Sequence, residues 1–311
     1  MTFARRTKIL KGGFIMAAKA SWKKLYSGKV REVWSDHNKE FIALVAGDGV
    51  SAFDEQLGVV IPNKGKILTD MSAKWFQLTA DIVPNAFITS DVSDMPNVFH
   101  NSHFKGRTTL MRSLKMLPIE AIVRGFITGS MWKKYCDGQR TICGYEMPEG
   151  LQNSQQLPEA IFTPTTKAPQ GEHDADITFD EMIGIIHDCG YDDNESHTLA
   201  MLIRDYSLKI YNFCRDYAMK HGVIVADMKL EFGIDDEGVL CVADEICTPD
   251  CARFWSHEDY KVGCEQASMD KQIIRNWIAD AKARGDKISI PDDILKQTQQ
   301  QYRKCYELLF S

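Results

Sequence analysis

The stretch from Val223 to Ile246 constrains this chain more than any other. It reads VIVADMKLEFGI, then DDEG, then VLCVADEI. Two β-rich runs around an acidic, glycine-ended turn predict a hairpin. A four-residue loop over 235–238 pairs Ile234 with Val239 and sets Lys229 opposite Asp244. Glu231 then lies two residues along on the same face, diagonal to Asp244, while Leu230 and Phe232 point into a core. A slip of one residue would put Glu245 in the place of Asp244. One face therefore gathers a cation and two carboxylates. Lys229 alone can join them as a structural ion pair. A hard divalent ion such as Mg²⁺ can also join them and leave positions for phosphate oxygens.

Upstream, the chain alternates short strands. Residues 24–34, KLYSGKVREVW, hold a Ser27-Gly28 turn between two strands, and 41–46 is a third. A loop, GDGVSAFD, follows over 47–54. A helix fits 69–82, with Thr69 as its cap and Pro84 just beyond, because Met71, Trp75, Leu78 and Ile82 recur at three to four residues. Residues 110–112 and 119–126 read as strands, and 131–136 as a short helix. Residues 150–176, rich in Pro, Gln and Thr, read as a long and therefore functional loop. Helices are expected over 179–188, started by the box Thr178…Glu181, and over 198–221, closed by Gly222. Two more are expected over 269–284 and 292–310. Strands come first and helices last, which predicts an α+β fold.

Four further groups can carry chemistry. The turn Ser27-Gly28-Lys29-Val30-Arg31 offers backbone amides and a point charge to a phosphate, or is a plain hairpin turn. It is not a Walker A loop, since no GxxxxGK[ST] occurs. Arg124 ends a strand, and Ser130 opens a helix, so the two can hold an anion; an ordinary N-cap is the alternative. Lys167, His173 and Asp174 lie in TPTTKAPQGEHD, either as binding groups or as a solvated loop. Arg253 closes TPDCAR just after the hairpin, near its carboxylate face or as a surface residue.

Charge narrows the partners. Residues 1–24 carry seven bases and no acid, which leaves 30 bases against 43 acids in the other 287 residues, a net of −13. An acidic body argues against nucleic acid as a partner. No apolar run approaches the length of a membrane span. Nine scattered cysteines without a CxxC pair suit a reducing, cytoplasmic setting. Cys247, Cys251, His257 and Cys264 lack the usual zinc spacings. Residues 1–20 read as a basic, disordered tail without a catalytic role; a transit peptide, or an extension upstream of an older start at Met16, is the alternative.

From about Lys24 onward the sequence resembles the SAICAR synthetase family. The motifs in family order are SGKVRE, DGVSAFD, IPNKGKILTDMSAKWF, MLPIEAIVRGFITGS, IFTPTTKAPQGEHD, ADMKLEFG, DEICTPDCARFW and SMDKQIIRNW. The resemblance implies an antiparallel-sheet lobe over 21–114, a larger lobe over 115–311 that ends in helices, and an ATP cleft between them. It implies ATP-dependent joining of L-aspartate to the carboxylate of carboxyaminoimidazole ribonucleotide, with Mg²⁺. Ser27, Gly28, Lys29, Arg31 and Lys229 would hold the ATP phosphates, Met116 would border the adenine, and Glu231 and Asp244 would bind Mg²⁺. Arg124, Ser130 and Arg253 would hold the ribonucleotide, with Lys167, His173 and Asp174 beside them. Asp48 and Asp250 match motif positions and are assigned to catalysis with Lys229. Met228 departs from the threonine frequent at its position. A kinase-like phosphotransferase would need an HRD loop, which is absent. A binding protein without catalysis would not need both carboxylates and both arginines.

Overall fold

The computed structural model describes residues 21–28, 30–52, 55–168 and 173–311. Lys29 and the basic tail fall outside them. The architecture is α+β and is built on two antiparallel sheets. The strands are β1 (Trp22–Ser27), β2 (Arg31–Asp36), β3 (Phe41–Ala46), β4 (Gly49–Ala52), β5 (Glu55–Val60), β6 (Phe87–Thr89), β7 (Thr108–Arg112), β8 (Lys115–Phe126), β9 (Thr141–Ile142), β10 (Tyr145–Glu146), β11 (Gln156–Phe162), β12 (Thr165–Thr166), β13 (Val223–Ile234), β14 (Leu240–Ala243) and β15 (Ala252–Ser256). The helices are α1 (Lys64–Leu78), α2 (Gly129–Cys136), α3 (Phe179–Asp188), α4 (Asp193–Lys220), α5 (Gln272–Arg284) and α6 (Asp292–Phe310). None of these helices is long and apolar enough to cross a membrane.

One sheet runs β1-β2-β3-β7-β6 and the other β11-β8-β13-β14, with β12 also on β8 and β15 also on β13. β13 is the spine of the second sheet. Alternation along it decides which face is wet. Met228, Leu230 and Phe232 are buried on one side, in a core shared with Trp75 and Phe76 of α1, Ile203 and Tyr211 of α4, and Cys305 and Leu309 of α6. Burying side chains of this size stabilises the fold by about 1.5–3 kcal/mol each. Asp227, Lys229 and Glu231 occupy the opposite face. Gly125 on β8 is required by this packing: a Cβ there would strike the Tyr211 hydroxyl, which instead donates to the Val225 carbonyl at 2.9 Å.

Several expectations shift. The helix expected over 69–82 starts at Lys64, and Thr69 is buried inside it. Its cap comes from a distant loop: the Asp48 carboxylate accepts from the amides of Gly65 at 3.0 Å and Asn63 at 3.3 Å. The loop over 47–54 contains β4, and the loop over 150–176 contains β11 and β12. Both β11 and β12 pair with β8, and their apolar residues, among them Leu157, Ile161 and Phe162, are buried. α4 starts five residues before its expected start, on a second capping box formed by Asp192 and Glu195. The box at Thr178 and the span 179–188 are as expected.

Candidate active site

The hairpin register differs by one from the four-residue loop. Ile234 pairs with Leu240, and Glu231 pairs with Ala243. Asp235 causes the shift. Its Oδ1 accepts from the amides of Val239 at 2.8 Å and Glu237 at 3.1 Å, and its amide donates to the Val239 carbonyl, closing a five-residue loop. In continued strand, this register would aim Asp244 at the core. β14 ends at Ala243 instead, and Asp244 takes a left-handed backbone with φ 58°. That twist returns its carboxylate to the wet side, where Arg31 pairs with both Asp244 and Glu245. Arg31 thus ties the strand after the Ser27-Gly28 turn to the end of the hairpin. Burial works against the Asp244 charge, yet Arg31 and Lys229 hold its carboxyl below the ordinary range.

Register on the other side of β13 brings in a residue that the sequence reading missed. Glu231 pairs directly with Glu120 of β8, and Asp227 pairs with Arg124. Like charges directly opposed across strands repel unless a cation joins them. Lys229 makes an ion pair with Glu120 and lies 3.6 Å from Glu231, while Lys167 makes an ion pair with Glu231. Burial raises the Glu120 carboxyl, and Lys229 only partly offsets it. For Lys229, burial is outweighed by Glu120 and Glu231, so its pKa rises. Glu120, Ile122 and Arg124 alternate in PIEAIVRG, so the spacing already places Glu120 and Arg124 on one face.

Four residues back along β13 the balance reverses. Asp227 receives Arg124 Nη1 at 3.4 Å and pairs with Arg253, its neighbour on β15. Arg124 also donates from Nε to Thr163 Oγ1 at 3.0 Å. Arg253 packs against Gly129, the first residue of α2, where a Cβ would run into the guanidinium and φ is +57°. Ser130 follows, exposed, and the helix has no side-chain cap. Free amides, a hydroxyl and two arginines therefore converge at one helix start.

A third group lies beside both. Asp250 is gripped by Lys64 Nζ at 2.7 Å and Tyr302 Oη at 2.7 Å. Burial works against its charge, but Lys64 and Lys271 hold the carboxyl far below the usual range. Asp48 accepts from Arg107 Nη2 at 3.2 Å as well as from the Asn63 and Gly65 amides at the start of α1. Ser27 and Gly28 are exposed in the turn, where the Gly28 amide donates to the Arg31 carbonyl at 2.7 Å. Met116 is 41% exposed over Gly233. His173 and Asp174 are exposed, and Asp174 accepts from the Ala168 amide at 2.8 Å.

Glu231 and Asp244 fit a hard divalent cation in their chemistry. Both are carboxylates, and the same two lysines that act on Glu231 also lower the Asp244 carboxyl. A pair of carboxylates that already draws cations is the donor set Mg²⁺ takes alongside phosphate oxygens.

Known proteins resemble this chain over most of its length. The model of the SAICAR synthetase family matches residues 24–290. The phosphoribosylaminoimidazole-succinocarboxamide synthase of Lachnospira eligens is 43% identical over 286 residues, covering 92% of this chain and 94% of the relative. That of Neisseria meningitidis serogroup C is 40% identical over 292 residues, covering 92% and 96%. The SAICAR-synthase of Saccharomyces cerevisiae complexed with SAICAR superimposes with a TM-score of 0.79 at 33% identity, covering 94% of this chain and 97% of that one. Family match, relatives and fold converge, and the chain belongs to the SAICAR synthetase family.

Proposed function

We propose that the charged face of β8, β13 and β15 carries out the family's reaction. L-aspartate is joined to the carboxylate of carboxyaminoimidazole ribonucleotide at the cost of ATP, giving SAICAR, ADP and phosphate in purine biosynthesis. A carboxylate is a poor electrophile. Transfer of the γ-phosphoryl group to one of its oxygens makes an acyl phosphate. The aspartate amine then attacks the acyl carbon, the C–O bond to phosphate breaks, and the amine gives up a proton. Phosphoryl transfer asks chiefly for positioning and charge neutralisation.

The residues divide along β13. Ser27, Gly28, Lys29 and Arg31 hold the ATP phosphates with Lys229, and Met116 borders the adenine. Glu231 and Asp244 hold Mg²⁺, which when bound supplies positive charge to the phosphate oxygens. Arg124, Ser130 and Arg253 hold the ribonucleotide phosphate, a bidentate task suited to arginine. Lys167, His173 and Asp174 help hold the ribonucleotide, Lys167 from the Glu231 side, where it makes its ion pair. Asp250, kept ionised by Lys64 and Tyr302, orients groups between the two ends. Asp48 acts through α1, whose first residue is Lys64.

One observation carries this reading: a carboxylate-rich corner and an arginine-rich corner four residues apart on one strand face. ADP release measured with the ribonucleotide, with and without L-aspartate, tests it. Full turnover is expected only with both. ADP release that ignores L-aspartate would mark a phosphotransferase, and no release would mark a binding protein.

A further inference from the structure

β13 changes face midway. Val223 and Val225 share the main core with Met228, Leu230 and Phe232. In a regular strand, residues 225 and 228 would point to opposite faces. A bulge reconciles them. Val225 pairs with Phe254 of β15, and the next pair is Asp227 with Arg253, which leaves Ala226 as the extra residue. Ile224 and Ala226 pack with Phe126 and Trp255, so Ala226 and Asp227 follow one another on the face that carries Arg124. Bulges re-aim side chains beside functional sites. This one decides what Arg253 meets. Pairing continued regularly from Val225 and Phe254 would set Arg253 against Ala226 and Asp227 against Ala252. With the bulge, Asp227 stands between Arg253 on β15 and Arg124 on β8.

A bulge needs something to hold it, because its extra residue interrupts the ladder and its backbone groups still require partners. Tyr211 of α4 reaches it from the core side. Its hydroxyl donates to the Val225 carbonyl at 2.9 Å and lies 3.4 Å from the Ala226 carbonyl. The residue is fully buried. Room for the hydroxyl comes from the missing Cβ of Gly125, the neighbour of Arg124 on β8. Burial, with Asp227 adding to it, raises the pKa of the phenol, so the hydroxyl stays a donor. A phenylalanine would supply the same buried ring; only the hydroxyl reaches the bulge.

The Ala226 carbonyl belongs to the peptide that leads into Asp227. Any slide of that peptide moves Asp227 against Arg124 and Arg253, which it holds together. A planar arginine fork depends on its aim to take a phosphate through two parallel bonds. We propose that Tyr211 is a positioning residue for the ribonucleotide: from the opposite face of the sheet, its hydroxyl locks the bulge at Ala226 and so sets Arg124 and Arg253 in the spacing that takes the phosphate. This rests on the arginine assignment proposed above. Tyr211 touches no substrate and acts through Asp227.

Tyr211→Phe tests this, read by steady-state kinetics and by the inhibition constant of the matching ribonucleoside, which lacks the phosphate. KM for the ribonucleotide should rise about five- to tenfold, the effect of one hydrogen bond. The values of kcat, KM for ATP and KM for L-aspartate should stay within about twofold, and the ribonucleoside should inhibit variant and wild type equally. A merely structural hydroxyl would weaken nucleotide and nucleoside alike or change neither, and either result would overturn the role. Ser207→Ala removes another buried hydroxyl of α4, one that donates to the Ile203 carbonyl at 2.6 Å. It should leave every KM unchanged; a rise confined to the ribonucleotide there too would also overturn the role. Should Tyr211→Phe fail to fold, Gly125→Ala decides, because its Cβ displaces the hydroxyl. The same selective rise is expected, and a uniform loss or no change would count against the bulge lock. Arg253→Gln, measured alongside, separates the two failures: an unchanged ribonucleotide KM in that variant would overturn the phosphate assignment itself.

Discussion

The two ends of the charged face of β13 solve opposite problems with different residues. At the Glu231 end, two glutamates face each other and lysines fill the space between them. At the Asp227 end, two arginines share one carboxylate. Lysine is a mobile point charge on a flexible stem, whereas arginine is a planar fork that keeps its aim. The first corner thus holds its carboxylates with groups that can change partners, which the proposed binding of ATP and Mg²⁺ would require. The second is a template that Asp227 and Gly129 hold in shape. One strand supports both because alternate residues share a face regardless of what they carry.

The largest expected effect lies where the corners meet. Asp250→Asn should cost about 3–5 kcal/mol in denaturant unfolding at neutral pH, since it strands the buried Lys64. Because the folded pKa of Asp250 is depressed, its stabilisation exists above the unfolded carboxyl value near ~3.9 and is lost as pH falls below it. The gap between wild type and variant should stay flat from about pH 8 to 5 and close below about pH 4. A gap that widened on acidification would break the assignment of Asp250 as an ionised anchor.

Next in size is the exchangeable corner. Glu231→Gln should lower kcat by about 10²–10³-fold, the usual loss when one charge-stabilising group is removed. Near-normal turnover at saturating Mg²⁺ would remove the metal assignment and leave Lys167, Lys229 and Glu231 as a structural cluster. The template corner should respond more mildly and only toward one substrate. Gly129→Ala places a Cβ against Arg253 and costs about 1–2 kcal/mol of backbone strain. It should raise KM for the ribonucleotide about tenfold and leave KM for ATP unchanged; an equal rise for both would merge the corners into one site. Smallest of all, removing residues 1–20 should keep kcat within about twofold of the full chain, and a dead truncation would bring the basic tail into the comparison.

Much of the template was legible in the sequence, since Arg124, Ser130 and Arg253 stand in motifs whose local structure is simple. The hairpin was legible as a hairpin, but not in register. Asp235 reads as one more acidic turn residue. Only the folded chain brings Arg112 Nη1 to its Oδ2 at 2.7 Å and closes a longer loop. Glu120 was hidden for the same reason: strand pairing joins 120 to 231 across a separation that no local pattern spans. The start of α1 was missed because its cap, Asp48, lies on another element.

The left-handed turn at Asp244 limits what can replace it. Aspartate and asparagine are the residues that tolerate this backbone best after glycine. Glutamate would keep the charge and strain the turn; asparagine would keep the turn and discard the charge. Each of the two nearest replacements at position 244 therefore gives up one of the two properties that aspartate combines, the glutamate at a backbone cost of about 1–2 kcal/mol.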